Sequence, residues 1–263
     1  MTAARKVLDV LGSFGPDARQ MSLSAIARRS GLALSTAHRV VRELVEWGAL
    51  EREEDGRYRV GLRLWEVGAL APRGLALRDA AMPFMEDLYE VTHEVVQLAV
   101  REGTELVFIE RIAGRTSVGV HTRVGGRFAL PPSGAGLVLL AFAPTEVQEQ
   151  VLSAPLEVFT AHTIVDATRL RTLLAEVRQT DVALSDRQVT TDSQSVGAPV
   201  RRADGTVAAA VSVVIHAGSM DTTALGALVR NAARGISRSL AGPSALRPAL
   251  GFDDPRVARR AAR

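Results

Sequence analysis

The chain has 263 residues, of which 47% are hydrophobic and 23% are charged, and its net charge is +3. These values are typical of a folded protein with one large or two small domains, and they argue against a disordered or fibrous chain. The sequence has no cysteine, which excludes disulfides, thiolate metal sites and a cysteine nucleophile. No stretch approaches about 18 consecutive apolar residues and no secretory signal precedes the first helix, so we expect a cytoplasmic protein without a membrane span.

The charge is unevenly distributed. Residues 1–42 contain seven basic and two acidic side chains, and residues 247–263 contain five arginines and two aspartates. The intervening part is therefore acidic. A basic N-terminal segment on an acidic body favours a polyanion-binding head, although short windows also fluctuate by several charges.

Three helices are predicted in the first 48 residues. The first has its apolar side chains at helical spacing and ends at Gly15-Pro16. Ser22 is suited to cap the second helix, and Gly31 to end it. The third helix runs from about Ala33 to Trp47.

The third helix has one apolar stripe and one cationic face. The polar face consists of Ser35, Thr36, His38, Arg39 and Arg42. A short helix, a glycine turn and a second helix with such a face indicate a helix-turn-helix whose second helix enters the major groove. We assign Ser24, on the preceding helix, to the same surface. An ordinary surface helix with a solvated face is the alternative.

A hairpin is predicted directly after this helix, over residues 50–60. Asp55-Gly56 is a preferred tight-turn dipeptide. Alternation puts Tyr58 and Val60 on the packed face and Arg57 and Arg59 on the outer face. The two segments together predict a winged helix, with Arg57 and Arg59 on phosphates or in the minor groove. We expect the acidic residues 51, 53 and 54 to point away from DNA or to form a solvated turn.

The rest of the chain predicts a second domain of mixed structure. Helices are expected over residues 62–70 and 75–91, then over 134–142, 145–152, 167–177 and 222–240. Strands are expected over residues 96–100, 106–109, 117–121 and 207–215. The predicted division is a DNA-binding domain 1–61, a connecting helix and linker 62–78, an α+β domain 79–246, and a basic tail 247–263 that we expect to be disordered.

The sequence resembles the IclR family of bacterial transcriptional regulators over residues 3–241. In the first half the resemblance rests on residues 5–11, 23–28, 31–41 and 56–61, and in the second on residues 74–78, 96–99, 133–136, 197–200 and 209–213. It implies a winged helix, a connecting helix and an effector-binding α/β domain similar to GAF and PAS sensors. It also implies binding to double-stranded operator DNA as a homodimer or tetramer, joined mainly through the DNA-binding halves.

The resemblance also implies an effector pocket where residues 133–136 begin a helix. Gly134, Ala135, Ser195 and Ser212 match positions that contact small carboxylates in family members, and Asp186 lies near another. A helix N-terminus supplies free N–H groups for an anion, and Gly134 would let a ligand approach the backbone.

Several positions depart from the family pattern in the direction of fewer polar groups. Pro131-Pro132 stands where the family often has His, and Leu137 stands where it often has Lys. Thr190-Thr191-Asp192 replaces the usual Glu-x-Gly, and Val214 replaces a second hydroxyl residue. These changes favour a larger and more apolar effector, such as an aromatic acid or a lactone, over glyoxylate or pyruvate. A domain that has lost its ligand is the alternative.

No catalytic motif is visible. Residues 130–136 do not form a nucleophile elbow, the glycines do not match a phosphate-binding loop, and the five histidines are scattered. We therefore expect no enzyme activity, no cofactor and no metal. Two other functions stay open: a sensor whose head binds protein instead of DNA, and an enzyme built on the sensor domain.

Overall fold

The structure is a computed structural model that describes residues 1–71, 74–120 and 122–242. The chain divides into two compact units after Leu75. The predicted tail 247–263 lies outside the described residues. Within the described ranges, no helix is both long enough and apolar enough to cross a bilayer.

The first unit contains three helices, a small sheet and a closing helix. Its elements are α1 (Ala3–Gly12), β1 (Gln20–Met21), α2 (Leu23–Ser30), α3 (Leu34–Trp47), β2 (Leu50–Arg52), β3 (Tyr58–Val60) and α4 (Leu62–Gly68). The strands form an antiparallel sheet in the order β1-β3-β2. Ile26, Val41 and Leu50 are among the fully buried side chains that join the helices to this sheet.

Local signals set the helix boundaries of this unit. The Ser22 hydroxyl accepts a hydrogen bond from Ala25 N–H at the start of α2. Gly31 and Gly48 end α2 and α3 in the left-handed conformation, with φ of 67° and 88°. Glycine adopts this conformation without a steric penalty, so the chain can turn sharply after each helix. The predicted helix-turn-helix and hairpin are confirmed.

The packing of the hairpin differs from the prediction at Val60. Tyr58 is buried as expected, but Val60 is 47% exposed. Val60 is the last residue of a three-residue strand and pairs with Leu50 at the end of the ladder. The Val60 side chain therefore lies on the same face of β3 as Tyr58, but the hydrophobic core does not extend far enough to cover it.

The second unit is a six-stranded sheet with helices on both faces. Its elements are α5 (Leu75–Thr92), β4 (Val95–Glu102), β5 (Glu105–Ile112), β6 (Arg127–Ala129), α6 (Gly134–Ala141), α7 (Thr145–Ser153), α8 (Ala167–Thr180), β7 (Ala183–Asp186), β8 (Ser193–Arg201), β9 (Val207–His216) and α9 (Thr222–Ala241). The strand order is β6-β5-β4-β9-β8-β7, and the paired strands are antiparallel. This is the predicted α+β domain.

The two faces of this sheet have different characters. One face packs on α5 and α9 through branched apolar side chains such as Val96, Leu98 and Val213. The other face carries smaller side chains, including Ala99 and Ala210, and packs on α6, α7 and α8. Because side chains alternate along a strand, the residues between those of the first core necessarily face α6.

Helix α6 lies in direct backbone contact with β8 and with Leu130 because three glycines leave room for these contacts. A Cβ atom at Gly134 would lie 2.8 Å from the Ser195 carbonyl oxygen, and one at Gly197 would lie 2.5 Å from the Gly134 carbonyl oxygen. A Cβ atom at Gly136 would lie 2.0 Å from the carbonyl oxygen of Leu130. The sequence Ser-Gly-Ala-Gly is thus required by backbone packing.

The sequence prediction of strands is incomplete, and one predicted strand is absent. Residues 117–120 are irregular, and residue 121 is outside the described ranges. In this segment Val118 N–H donates to the Glu94 carboxylate and the Ser117 hydroxyl donates to the carbonyl oxygen of His93, in place of a strand ladder. The unpredicted strands are β1, β6, β7 and β8, which are short or are interrupted by serine, glycine and proline.

Candidate DNA-binding face and effector cavity

The surface of α3 carries the predicted polar residues. Ala37, Val40, Val41 and Leu44 are buried against the first unit. Ser35, His38, Arg39 and Arg42 are exposed on the opposite side, and Thr36 is half-buried. The structure therefore brings these five residues together on one face of a helix.

The two arginines on this face are available for a polyanion. Within the part of the chain that the structure describes, Arg39 and Arg42 have no ion pair and no side-chain hydrogen bond. A guanidinium without an internal partner can bond a phosphate or the edge of a guanine without first breaking a contact. Ser24 is also exposed, and its hydroxyl lies 3.0 Å from that of Ser22 at the start of α2.

The wing arginines, by contrast, are paired with carboxylates. Arg57 Nε lies 2.7 Å from Asp55 Oδ2, and Arg59 bonds both Glu51 and Glu53 at 2.7 and 2.8 Å. The hydrogen bond from Arg59 lowers the pKa of Glu51, and the same bond raises the pKa of Arg59. Glu51 and Glu53 therefore lie beside Arg59, on the side of the hairpin that was expected to contact DNA.

The reason is the register of the hairpin. Glu51 and Arg59 are directly paired across β2 and β3, so their side chains lie on the same face. An arginine in this pair must give up a carboxylate before it can bind a phosphate. The wing is thus a weaker anion-binding element than its sequence indicates.

The second unit encloses a cavity of about 120 Å³ between α6 and the sheet. Its polar lining consists of Gln97, Thr122, Ser133, Ser185, Thr190, Ser193, Ser195 and Ser212, and its apolar lining of Phe108, Val120, Phe128, Ala135, Val189 and Val214. None of these described residues is charged. The lining combines an apolar middle with hydroxyl groups and one amide, which suits a small ligand that carries few polar groups.

The start of α6 forms one end of this cavity. Gly134 N–H donates to the Ser195 hydroxyl at 2.8 Å, and Gly136 N–H donates to the Ser133 hydroxyl at 3.1 Å. Each hydroxyl accepts one bond here and keeps its own proton to donate. Two hydroxyl donors at a helix N-terminus make this end of the cavity favourable for a negative group.

The structure brings four of the six predicted effector residues to the cavity. Ala135, Ser195, Ser212 and Val214 line it. Gly134 does not line the cavity. The backbone of β8 occupies the space where a side chain of residue 134 would lie, whereas the sequence analysis expected a ligand in that space. Asp186 is exposed, accepts a hydrogen bond from Gln194 at 2.8 Å and lines a separate surface hollow.

The sequence reasoning missed several residues of the cavity, of which Gln97 is the most polar. Gln97 is only 4% exposed and lies within an otherwise apolar strand. It is flanked by Val96 and Leu98, which point into the opposite core. The sequence did contain a signal for it. Gln97 is a single amide in an apolar strand, and its side chain must point to the sheet face opposite to that of Val96 and Leu98.

A second hollow, of about 610 Å³, adjoins the cavity on the outer side of β6. Phe128 lines both, and its ring lies 5.3 Å from that of Phe159. The hollow is larger but open to solvent, and it contains none of the predicted effector residues. The enclosed cavity is therefore the better candidate for a specific small-molecule site. The described residues contain no cluster of acidic or histidine side chains that could hold a metal ion.

A winged helix-turn-helix joined to a domain with an enclosed small-molecule cavity defines a ligand-responsive transcriptional regulator. The comparisons identify which kind. Residues 3–54 match the IclR helix-turn-helix domain, and residues 71–238 match the domain described as bacterial transcriptional regulator IclR C-terminal. The chain therefore belongs to the IclR family of transcriptional regulators, as the sequence resemblance predicted.

Individual relatives agree with this assignment. The regulator KipR of Bacillus subtilis is 30% identical over 194 residues, which cover 73% of this chain and 78% of KipR. XynR of Escherichia coli is 27% identical over 92% of this chain and 98% of its own. A crystal structure of an IclR homolog from Microbacterium hydrocarbonoxydans, complexed with 4-hydroxybenzoate, is 38% identical and has a TM-score of 0.86. That alignment covers 91% of this chain and 99% of the homolog.

Proposed function

We propose that this regulator binds a palindromic operator through α3 and releases or tightens that contact when a small aromatic acid fills the cavity in the second unit. The observation that carries the proposal is the enclosed 120 Å³ cavity, with hydroxyl donors at the α6 N-terminus and apolar walls. An effector can act only through the difference between its affinities for the DNA-binding and non-binding arrangements.

The DNA contacts are assigned from the free side chains of α3. Arg39 and Arg42 contact bases or phosphates, and Ser35, Thr36 and His38 supply further hydrogen bonds in the major groove. Ser24 lies at the start of α2 and contacts the DNA backbone. Arg57 and Arg59 make a smaller contribution, because each must first leave a carboxylate.

The size and chemistry of the cavity support an aromatic acid as the effector. A cavity of about 150 Å³ accommodates benzene, so the volume of about 120 Å³ found here is of the order needed for one ring and not for a larger ring system. Phe108 and Phe128 offer flat apolar contact, while Ser133, Ser195 and Ser212 offer hydroxyl groups. The homolog from Microbacterium hydrocarbonoxydans that is complexed with 4-hydroxybenzoate supports the same ligand class.

A homodimer joined through the first unit is the proposed assembly. In α4 the apolar side chains of Leu62, Trp65 and Val67 are 64%, 64% and 53% exposed. Leu64 packs on the core of the unit, so the helix is anchored by one side and leaves the other uncovered. A second copy is the natural partner for this face, because two heads are needed to read two half-sites.

The proposed function is regulatory and not enzymatic, and the names of the similar proteins KipR and XynR, which are transcriptional regulators, support it. A DNA-binding regulator must reach the chromosome, so the proposed location of this protein is the bacterial cytoplasm.

The proposed function is tested by titrating the full chain onto labelled duplex DNA from its own upstream region and onto random duplex. Binding is measured at about 50 and 200 mM salt, with and without 4-hydroxybenzoate. We expect tighter binding to the upstream DNA, a steep loss of affinity with salt and a change of affinity on adding the acid. Salt-independent binding, or equal binding to both duplexes, would contradict the operator assignment. An unchanged affinity with bound acid would contradict the effector role.

A further inference from the structure

The cavity has a second polar end, formed by Gln97 and Thr122. Gln97 lies on β4, and its amide donates to the Thr122 hydroxyl. Gln97 pairs with Ser212 on β9, which in turn pairs with Gly197 on β8. Gln97 is therefore two strands, about 9–10 Å, from the strand that contacts the start of α6. The two polar groups are thus separated across the sheet, with Ser212 of β9 between their strands.

Polar groups at this end face the cavity without a full set of partners among the described residues. One end of the Gln97 amide bonds Thr122, and the other end has no partner among the described residues. Ser212 is 1% exposed, and its hydroxyl also has none within the described ranges. A polar side chain that faces a cavity without an internal partner is free to pair with a ligand.

The chemistry of this end selects a neutral hydroxyl group. The free carbonyl oxygen of Gln97 accepts a hydrogen bond, and the Thr122 hydroxyl keeps a proton to donate. A hydroxyl on the ligand can satisfy both. A second carboxylate is disfavoured because no described residue that lines the cavity is cationic, and desolvation of an unpaired charge is costly.

We infer that Gln97, oriented by Thr122, is the specificity-determining residue that selects a hydroxyl-substituted ring acid over the unsubstituted acid. This inference rests on the proposed function, because it assumes that the carboxylate of the effector lies at the start of α6. The ring then lies against the apolar lining of the cavity, and its hydroxyl meets the amide of Gln97. The ligand class is thereby narrowed to single-ring acids with a hydroxyl group opposite the carboxylate.

The test compares 4-hydroxybenzoate with benzoate by calorimetric titration of the full chain and its Gln97→Leu variant. Leucine has nearly the same size as glutamine and cannot hydrogen-bond. We expect the wild type to favour 4-hydroxybenzoate by about 10-fold to 100-fold. We expect Gln97→Leu to bind both acids with affinities within about threefold of each other, because only the hydroxyl contact is lost.

Two further variants control for folding and for the chemical change. Thr122→Val removes the group that orients the amide and should reduce the preference in part. Gln194→Leu makes the same replacement at a glutamine of β8 that bonds Asp186 outside the cavity, and should keep the full preference. Thermal melting of each variant establishes that it is folded.

The outcomes separate this inference from the proposed function. If the wild type binds both acids equally, or Gln97→Leu keeps the preference, the role of Gln97 is overturned while the aromatic-acid effector stands. If the wild type binds neither acid, the proposed effector class fails and the inference fails with it. Loss of preference in Gln97→Leu but not in Gln194→Leu supports the inference.

Discussion

The backbone N–H of Gly134 donates a hydrogen bond to the side-chain hydroxyl of Ser195 at 2.8 Å, which ties the first turn of α6 to β8. This bond is possible only because Gly134 and Gly197 allow the two backbones to come into direct contact. The same contact fixes the position of the Ser195 hydroxyl in the cavity wall. The packing of α6 on β8 and the shape of the cavity wall therefore depend on one another at this point.

The first prediction concerns Gly134→Ala. Its Cβ would lie 2.8 Å from the Ser195 carbonyl oxygen, so the helix must move away from β8. We expect a loss of about 1–3 kcal/mol in the free energy of unfolding, measured by denaturant titration, and weaker binding of the effector. Gly119→Ala is the matched control, because nothing lies within 4 Å of its added Cβ. Equal stability of the two variants would show that α6 adjusts freely.

The second prediction concerns Arg39→Ala. Arg39 is exposed on α3 and has no internal partner among the described residues, so its removal should not affect folding. We expect a loss of about 1–3 kcal/mol in operator binding and a smaller loss on random duplex, measured by fluorescence anisotropy. Arg115→Ala removes an exposed arginine of the second unit and should leave both affinities unchanged. An equal loss of affinity on both duplexes would exclude base recognition by Arg39.

The third prediction is that Glu51→Gln strengthens DNA binding. The change removes a carboxylate that holds Arg59 but keeps an oxygen for the bond from Leu62 N–H. Arg59 then keeps only its ion pair with Glu53, so its guanidinium leaves the wing more easily and should add up to about one phosphate contact, which makes the salt dependence of binding steeper by up to about one unit. Glu54→Gln removes the same charge from an exposed position of the same hairpin and serves as control. Identical gains from both variants would point to net charge instead of the Arg59 pair.

The fourth prediction is that Ala135→Leu makes the regulator insensitive to its effector. Ala135 is 2% exposed and lines the cavity, so the larger side chain fills space that the ligand needs. We expect at least a roughly tenfold loss of affinity for aromatic acids in calorimetric titration, while operator binding without effector stays at the wild-type level. If the variant responds to the acid as the wild type does, the effector lies elsewhere, and the outer hollow beside Phe128 becomes the next candidate.

The fifth prediction concerns assembly. Trp65→Glu places a charge on the exposed apolar face of α4, where the side chain is 64% exposed in a single copy. We expect the variant to sediment as a monomer at concentrations where the wild type is a dimer, because an unpaired charge is costly in an apolar interface. Val158→Glu changes an equally exposed apolar residue of the second unit and should leave the oligomeric state unchanged. A dimer that persists in Trp65→Glu would move the interface away from α4.

Much of the architecture could be predicted from local sequence. The boundaries of α2 and α3 follow from Ser22, Gly31 and Gly48, since caps and left-handed turns depend on residues within one helical turn. The free cationic face of α3 follows from helical periodicity alone. Strands β7 and β8 were not predictable in the same way. Their serine and glycine residues have low strand propensity and are explained by close packing against α6.

The sequence by itself determined the family, the two-unit organisation and the exposed polar side of α3, because each depends on short-range patterns or on a sustained resemblance. Only the tertiary structure decided three further features. It paired Arg59 with Glu51, filled the space beside Gly134 with β8 backbone and joined Gln97 to Thr122 in one cavity. Each of these depends on strand register or on the order of strands in a sheet, which bring together residues that are distant in the chain.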